Sequence, residues 1–565
     1  MHTKKELLIL SPFEMPDVKL ALGTEKAGAF PVLHLGRDKK KAEKELQTLS
    51  NRIKGNFGIC FASDSLVDVA IPDKVTRIIA PIDVKLNLNA KQEKRIEVMT
   101  QIYSLKDADK AIETGAKTII IKGNEGAGRV GKDSSFILFQ GIIDKCLKKK
   151  VKLYIQGGAG MHSSAAYLAL GATGVIFDSQ VALFPACSVP KELKSMCEKL
   201  SGSETIVVDG FRVLQRNTSP ALPPNAKQQD LKPYLGGLDL SKNYIPMGQD
   251  ISLSIDFLTR YKRIDNLIQH FYEGIYSHLH QAKRLHTISP NNALAKDLGI
   301  KYPISQGPMA RISDEPKFAK AIADEGALPF LAMSLMTGKP AADLFNETKK
   351  LLGNKPWGVG IMGFLPPEIR NEQTKLLIEA KPDIVLIAGG RPSLAKPLQE
   401  AGIKTFIHVP SANLLDMYLN EGARDLIFEG RESGGHVGPL SSMVLWEKQI
   451  YRLMQQDVKT DLSILFAGGI HDAFSSAFVS IMTSTLAAQG AKIGVQIGTS
   501  YLYTKEIVET GAIVEEYQKR ILEAGESITL EAIQGQETQS IKSPYTDYFL
   551  KEKERMLSSG EDTKV

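Results

Sequence analysis

Cysteine is scarce in this chain, with four in 565 residues. Cys60, Cys146, Cys187 and Cys197 show neither metal-site spacing nor a disulfide framework, which excludes a zinc module and a disulfide-stapled domain and fits a reducing compartment. Long apolar runs are missing too. None approaches the ~20 residues that cross a bilayer, and Leu7-Leu8-Ile9-Leu10 stops at Pro12, so it reads as a first strand and not as a secretion signal. The expectation is a cytoplasmic protein without a membrane partner. Charge of one sign is also lacking: the formal net charge is +6, and Lys is spread along the chain. That gives no basic face for nucleic acid. Lys148-Lys149-Lys150 reads as a solvated helix end. With 43% hydrophobic and 24% charged residues, the chain has the composition of a globular protein.

What is present is a repeat. Glu125-Gly126-Ala127-Gly128-Arg129-Val130-Gly131 matches Glu432-Ser433-Gly434-Gly435-His436-Val437-Gly438 at an offset of 432 − 125 = 307. The same offset carries Ser134-Ser135 onto Ser441-Ser442. Upstream, Ala27-Gly28-Ala29 matches Glu325-Gly326-Ala327, and Phe57-Gly58-Ile59 matches Trp357-Gly358-Val359. Downstream, Gln156-Gly157-Gly158 matches Ala467-Gly468-Gly469. Offsets that drift while the order holds indicate duplication with loop insertions. Short apolar runs such as Ile384-Val385-Leu386-Ile387 alternate with amphipathic stretches, which predicts βα units around parallel sheets.

We expect a barrel at 1–200, a linker at 201–290, a second barrel at 291–510, and a C-terminal helical extension and tail at 511–565. In the linker, Pro220, Pro223, Pro224 and Pro233 mark an irregular crossing. Then Phe257, Tyr261, Ile264, Ile268, Phe271, Ile275 and Leu279 recur every three or four residues, the pattern of one long amphipathic helix packed on a barrel.

In the second half, an apolar strand (Asp425-Leu426-Ile427-Phe428) runs into the Gly-Gly-His loop. Ile464 to Ala467 then leads to Gly468-Gly469, and Gly494 to Ile497 leads to Gly498-Thr499-Ser500. These read as late strands of a (β/α) barrel with a His and a phosphate cradle at their carboxyl ends. The motifs resemble the nitronate monooxygenase (2-nitropropane dioxygenase) family of FMN-dependent barrels, in a tandem form similar to regions of modular polyketide synthases. The resemblance implies α/β architecture with two tandem TIM-like (β/α)8 barrels, the first degenerate.

It also implies an FMN site. Gly468, Gly469, Gly498, Thr499 and Ser500 would offer amides and hydroxyls to the phosphate, with Ala467 and Gln496 at the same strand ends. Gly307, Pro308, Met309 and Ala310 would lie against the isoalloxazine. Gly434 and Gly435 shape the loop, Glu432 caps it or binds ribityl hydroxyls, and His436 is the catalytic residue. His408 and His471 are weaker candidates. Gly360 stands where the family commonly has an Asn.

In the first half, Arg129 replaces His436 and Asp178-Ser179 replaces Gly498-Thr499. Arg is not a base near neutrality and a carboxylate repels phosphate, so that barrel is expected to be non-catalytic.

Three functional readings follow. The first is an FMN oxidoreductase oxidising a nitronate with O₂. The second is an enoyl-thioester reductase using NADPH or NADH and partnered by acyl carrier protein or other synthase domains. The third is a non-catalytic acyl-chain or scaffold module. A dehydrogenase needing a cysteine nucleophile is excluded from the second barrel, because every Cys lies at or before Cys197.

Overall fold

The computed structural model describes residues 5–62, 68–223, 226–457, 459–533 and 536–559. The chain divides into two compact units, Met1–His280 and Gln281–Val565.

The first unit is built on a closed barrel of eight parallel strands: Glu6–Leu10, Phe30–His34, Phe57–Cys60, Val75–Pro81, Glu97–Ile102, Thr118–Lys122, Lys152–Gln156 and Gly174–Phe177. Thr118-Ile119-Ile120-Ile121 shows why these segments are strands. It is β-branched and buried on both faces, as a parallel strand between core and helices must be. Alternate residues point inward, and Leu8, Val32, Ile79, Met99, Ile120, Tyr154 and Ile176 fill the barrel as one cluster.

Beyond the last barrel strand, Thr205–Val208, Phe211–Leu214 and Ile245–Pro246 form an antiparallel sheet. The loop after the sixth barrel strand joins it through Arg129 opposite Phe211. The single long helix expected over 257–279 is two helices, Ser254–Tyr261 and Ile264–Leu285. Lys262 breaks them at φ 59°, and the Arg263 guanidinium turns back onto the Asp265 carboxylate at 3.0 and 2.8 Å. The apolar stripe survives the break. Phe257 and Phe271, one from each helix, pack on Phe177 at 5.6 and 5.8 Å between ring centres.

The second unit repeats the plan. Its eight parallel strands are Ile304–Gln306, Phe330–Ala332, Gly358–Met362, Ile384–Ala388, Lys404–His408, Asp425–Glu429, Ser463–Ala467 and Lys492–Ile497. A bridge between Ser305 and Leu328 joins the first strand to the second. Leu294 and Leu298 of the helix Ala293–Leu298 belong to the same cluster as Phe330, Leu386, Phe406 and Leu465. That helix packs beside Gly494 near the start of strand eight, closing the amino-terminal end of the barrel. The carboxyl-terminal end is left for chemistry.

Residues 511–559 are not only helical. Between the helices Glu515–Ala524 and Pro544–Ser559 lies a hairpin, Ser527–Ile533 with Gln536–Ile541. The last residues of the expected extension and tail, 560–565, lie outside the described residues. The hairpin pairs antiparallel with Gly435–Val437 in the loop after strand six. Each half therefore ties its strand-six loop to a following hairpin, and the repeat is longer than the glycine motifs alone suggest.

Candidate active site

Strand alternation and the loop lengths bring three loops of the second unit to one end of the barrel. After strand six, Glu432 folds back to cap the loop. Its Oε2 accepts the Ser442 amide at 2.7 Å and the Ser442 hydroxyl at 2.6 Å, so the capping role is filled. Its Oε1 is buried and meets no partner among the described residues. The first unit uses the same device, with Glu125 accepting from the Ser135 amide at 3.1 and 3.3 Å.

Two residues past the cap, Gly434 lies so close to strand eight that a Cβ there would stand 2.9 Å from Thr499 Oγ1. Gly435 has φ 81°, the left-handed region that glycine permits. His436 is exposed. Its ring packs on Phe364 at 5.5 Å, and Phe364 is itself 55% exposed.

After strand seven, Gly468 and Gly469 take φ 118° and 75°. A Cβ on Gly468 would meet Ser442 Oγ at 2.5 Å, so the glycine is needed for packing against the Glu432 cap as well as for the turn. The first unit keeps the same bend, at φ 96° and 66° for Gly157 and Gly158. The following helix, Ala473–Met482, is already capped by Asp472, which accepts the Ser475 amide at 2.8 Å. A phosphate there would rest on the strand-end glycines and not on the helix terminus. His471 is held by the same cap, its amide donating to Ser475 Oγ at 3.0 Å. After strand eight, Gly498 precedes a 3-10 helix at Thr499–Tyr503, and a Cβ at Gly498 would meet open space.

The first strand's exit is less uniform. Gly307 is bonded to Ile497 O at 2.9 Å and packs on Gln496, whose amide would stand 3.2 Å from a Cβ. Pro308 covers Gly360, where an added Cβ would lie 2.4 Å from the proline ring. That contact explains why Gly occupies the position: the ring fills the space an Asn would need. Met309 instead packs in a cluster with Phe318, Leu502 and Ile507, and Ala310 is exposed. Ala467 is buried inside the barrel. His408 Nδ1 pairs with Glu429 at 2.9 Å at the ends of strands five and six.

The set fits an FMN: glycine bends at two successive strand ends, and an orphaned buried oxygen on Glu432 suited to a ligand hydroxyl.

The first unit has filled the equivalent places. Arg129 is tied to Asp83 at 2.8 and 2.9 Å and lies over Tyr103 at 4.6 Å. The Gly158 amide, equivalent to Gly469, donates to the Asp250 carboxyl at 3.3 Å. Asp250 is fully buried, and burial together with Asp178 and Glu125 pushes its pKa well up. Asp250 lies in the segment expected as a linker, and nothing local reveals that it reaches a loop 92 residues earlier.

The nitronate monooxygenase family model matches residues 368–558, from the helix Pro367–Ala380 past the hairpin. Over that stretch the second unit is similar to nitronate monooxygenases. Among curated proteins, (3aS,4S,5R,7aS)-5-hydroxy-7a-methyl-1-oxo-octahydro-1H-indene-4-carboxyl-CoA dehydrogenases are similar. That of Rhodococcus jostii is 27% identical over 41% of this chain and 60% of its own length. That of Mycobacterium tuberculosis is 26% identical over 41% and 60%. The chain thus spans 60% of the length of these relatives. FabK from Thermotoga maritima is 27% identical over 45% of this chain and 76% of its own, with a TM-score of 0.38. No helix among the described residues is long and apolar enough to cross a membrane.

Proposed function

We propose that the second unit holds FMN at the carboxyl ends of strands one, seven and eight and oxidises a nitronate-like substrate beside His436, with O₂ as the terminal oxidant. The convergence of the His436 loop with the glycines after strands seven and eight carries this reading. FMN would supply the two-electron chemistry. Gly468, Gly469, Gly498, Thr499 and Ser500 would bind its phosphate, with Glu432 Oε1 accepting a ribityl hydroxyl. Gly307 and Pro308, packed on Gln496 and Gly360, would support the ring. Phe364 orients the His436 imidazole, which holds or takes a proton at the substrate. An exposed imidazole at the end of the barrel can reach the substrate directly.

A second reading, reduction of an enoyl thioester with NADPH or NADH, is favoured by one observation. The curated relatives bear names of enzymes acting on a coenzyme A thioester. Acyl carrier protein or other synthase domains are the partners that reading would require.

Purified protein mixed anaerobically with NADPH and, separately, with propionate 3-nitronate tests both. Bleaching of the flavin band by the nitronate alone supports the first reading. Bleaching by NADPH, with turnover of an enoyl thioester, supports the second. A folded protein that binds no FMN defeats both. His436→Ala is expected to keep its flavin and lose about 10²–10⁴-fold in turnover, the usual span for a general acid–base group.

A further inference from the structure

His408 and Glu429 end strands five and six of the second unit. Phe406 and Ile427, two residues earlier on the same strands, belong to the cluster that fills the barrel. Strand alternation puts His408 and Glu429 on that inward face, one layer nearer the carboxyl end. Glu429 stands in register beside Ala467, the residue before the Gly468-Gly469 bend. The two side chains are 18% and 19% exposed, with 2.9 Å between His408 Nδ1 and Glu429 Oε2. His408 Nε2 is buried and meets no partner among the described residues, so Glu429 is the polar anchor of the ring. No lysine or arginine pairs with Glu429 among the described residues.

The barrel does not need this pair in order to close. A buried ion pair is often no more stabilising than apolar residues of the same volume. The first unit closes its barrel with Gln101 and Lys122 at these positions (408 − 101 = 307; 429 − 122 = 307). There Gln101 donates to Gln156 at 2.8 Å, where the second unit has Ala467. The charge is thus inverted in the half whose glycine bend is taken by Asp250.

We propose, resting on the FMN reading of this barrel, that Glu429, held by His408, keeps the reduction potential of the flavin low. Two electrons and one proton convert FMN to its anionic reduced form, so a carboxylate beneath the ring opposes reduction. The opposition is strongest where the charge is withdrawn from water, as it is here. A low potential favours passing the electron pair onward to O₂.

Anaerobic redox titration of the full chain with FMN bound, against a reference dye, tests this. At a fixed poise, the ratio of reduced to oxidised FMN should be lower by about tenfold or more in the native chain than for free FMN. Glu429→Gln keeps a hydrogen-bonding side chain beside His408 and should raise the ratio by about tenfold or more. Glu429→Asp keeps the charge and should stay within about threefold of the native chain. Equal shifts in the two variants would mark a packing effect and overturn the proposal. A chain that binds FMN and shows an unchanged ratio in Glu429→Gln overturns this inference alone. A chain that binds no FMN overturns the flavin reading and the inference with it. Should Glu429→Gln fold poorly, the native chain decides: bound FMN reduced as readily as free FMN overturns the proposal.

Discussion

His436 stands directly opposite Thr538 in an antiparallel pair. The loop proposed to carry the catalytic imidazole is therefore the edge strand of a three-stranded sheet whose other strands come from the C-terminal hairpin. Arg431, just before the loop, forms a two-pronged ion pair with Glu537. The Gln539 carboxamide, turned to donate, reaches the Arg431 and Ser433 carbonyls at 2.8 and 2.9 Å. The imidazole is exposed, but its backbone is fixed.

Thr538 lies in the middle strand of that sheet, where proline removes a ladder donor. Thr538→Pro is expected to leave FMN bound and to lower turnover at least tenfold, because the His436 loop loses its register. Hydrogen exchange at 434–438 should accelerate in parallel. Exchange that stays slow would dissociate the hairpin from loop order.

Gly468→Ala tests the link between the glycine bend and the Glu432 cap. The new Cβ would lie 2.5 Å from Ser442 Oγ, at φ 118°. A cost of about 1–3 kcal/mol is expected from strain and displacement of Ser442. The purified variant should carry less FMN per chain than the native protein, as read from its absorption spectrum.

Gly360→Asn would install the residue common in the resembling family, yet it should weaken flavin binding. Its Cβ would lie 2.4 Å from the Pro308 ring, and overpacking of this kind costs about 1–3 kcal/mol. A lower thermal midpoint together with weaker FMN affinity is the expected pair of results. Tighter FMN binding would show that Pro308 yields readily.

His162 sets a pH dependence in the first unit. It is buried against His278, with 2.8 Å between Nδ1 and Nε2, and burial pushes its pKa from 6.5 down to about 3. The unfolded chain then binds more protons than the folded one between these values, so stability rises with pH across that window. The contribution is complete above about 6.5 and is lost as pH falls toward about 3. Urea unfolding of His162→Gln should show a flatter slope over that range.

Much of this was legible from pattern. The glycine motifs recur in order, so both barrels and the strand ends carrying His436, Gly468 and Gly498 could be placed before any coordinates. Features made by contact between distant residues were not. Apolar periodicity continues across Lys262 because both helices face Phe177, so the backbone break is silent in the sequence. The hairpin is only half legible: Ser527-Ile528-Thr529-Leu530-Glu531 alternates as a half-buried strand does, but Gln536-Glu537-Thr538-Gln539-Ser540 is polar throughout and announces no strand. Asp250 acts 92 residues from Gly158, a separation that no local pattern announces.

The contact between Asp250 and Gly158 makes the two barrels unequal in what they need from the cell. The first places a carboxyl of its own chain at the glycine bend, delivered by folding itself. If the second half holds FMN as proposed, its maturation depends on riboflavin supply, and that of the first does not.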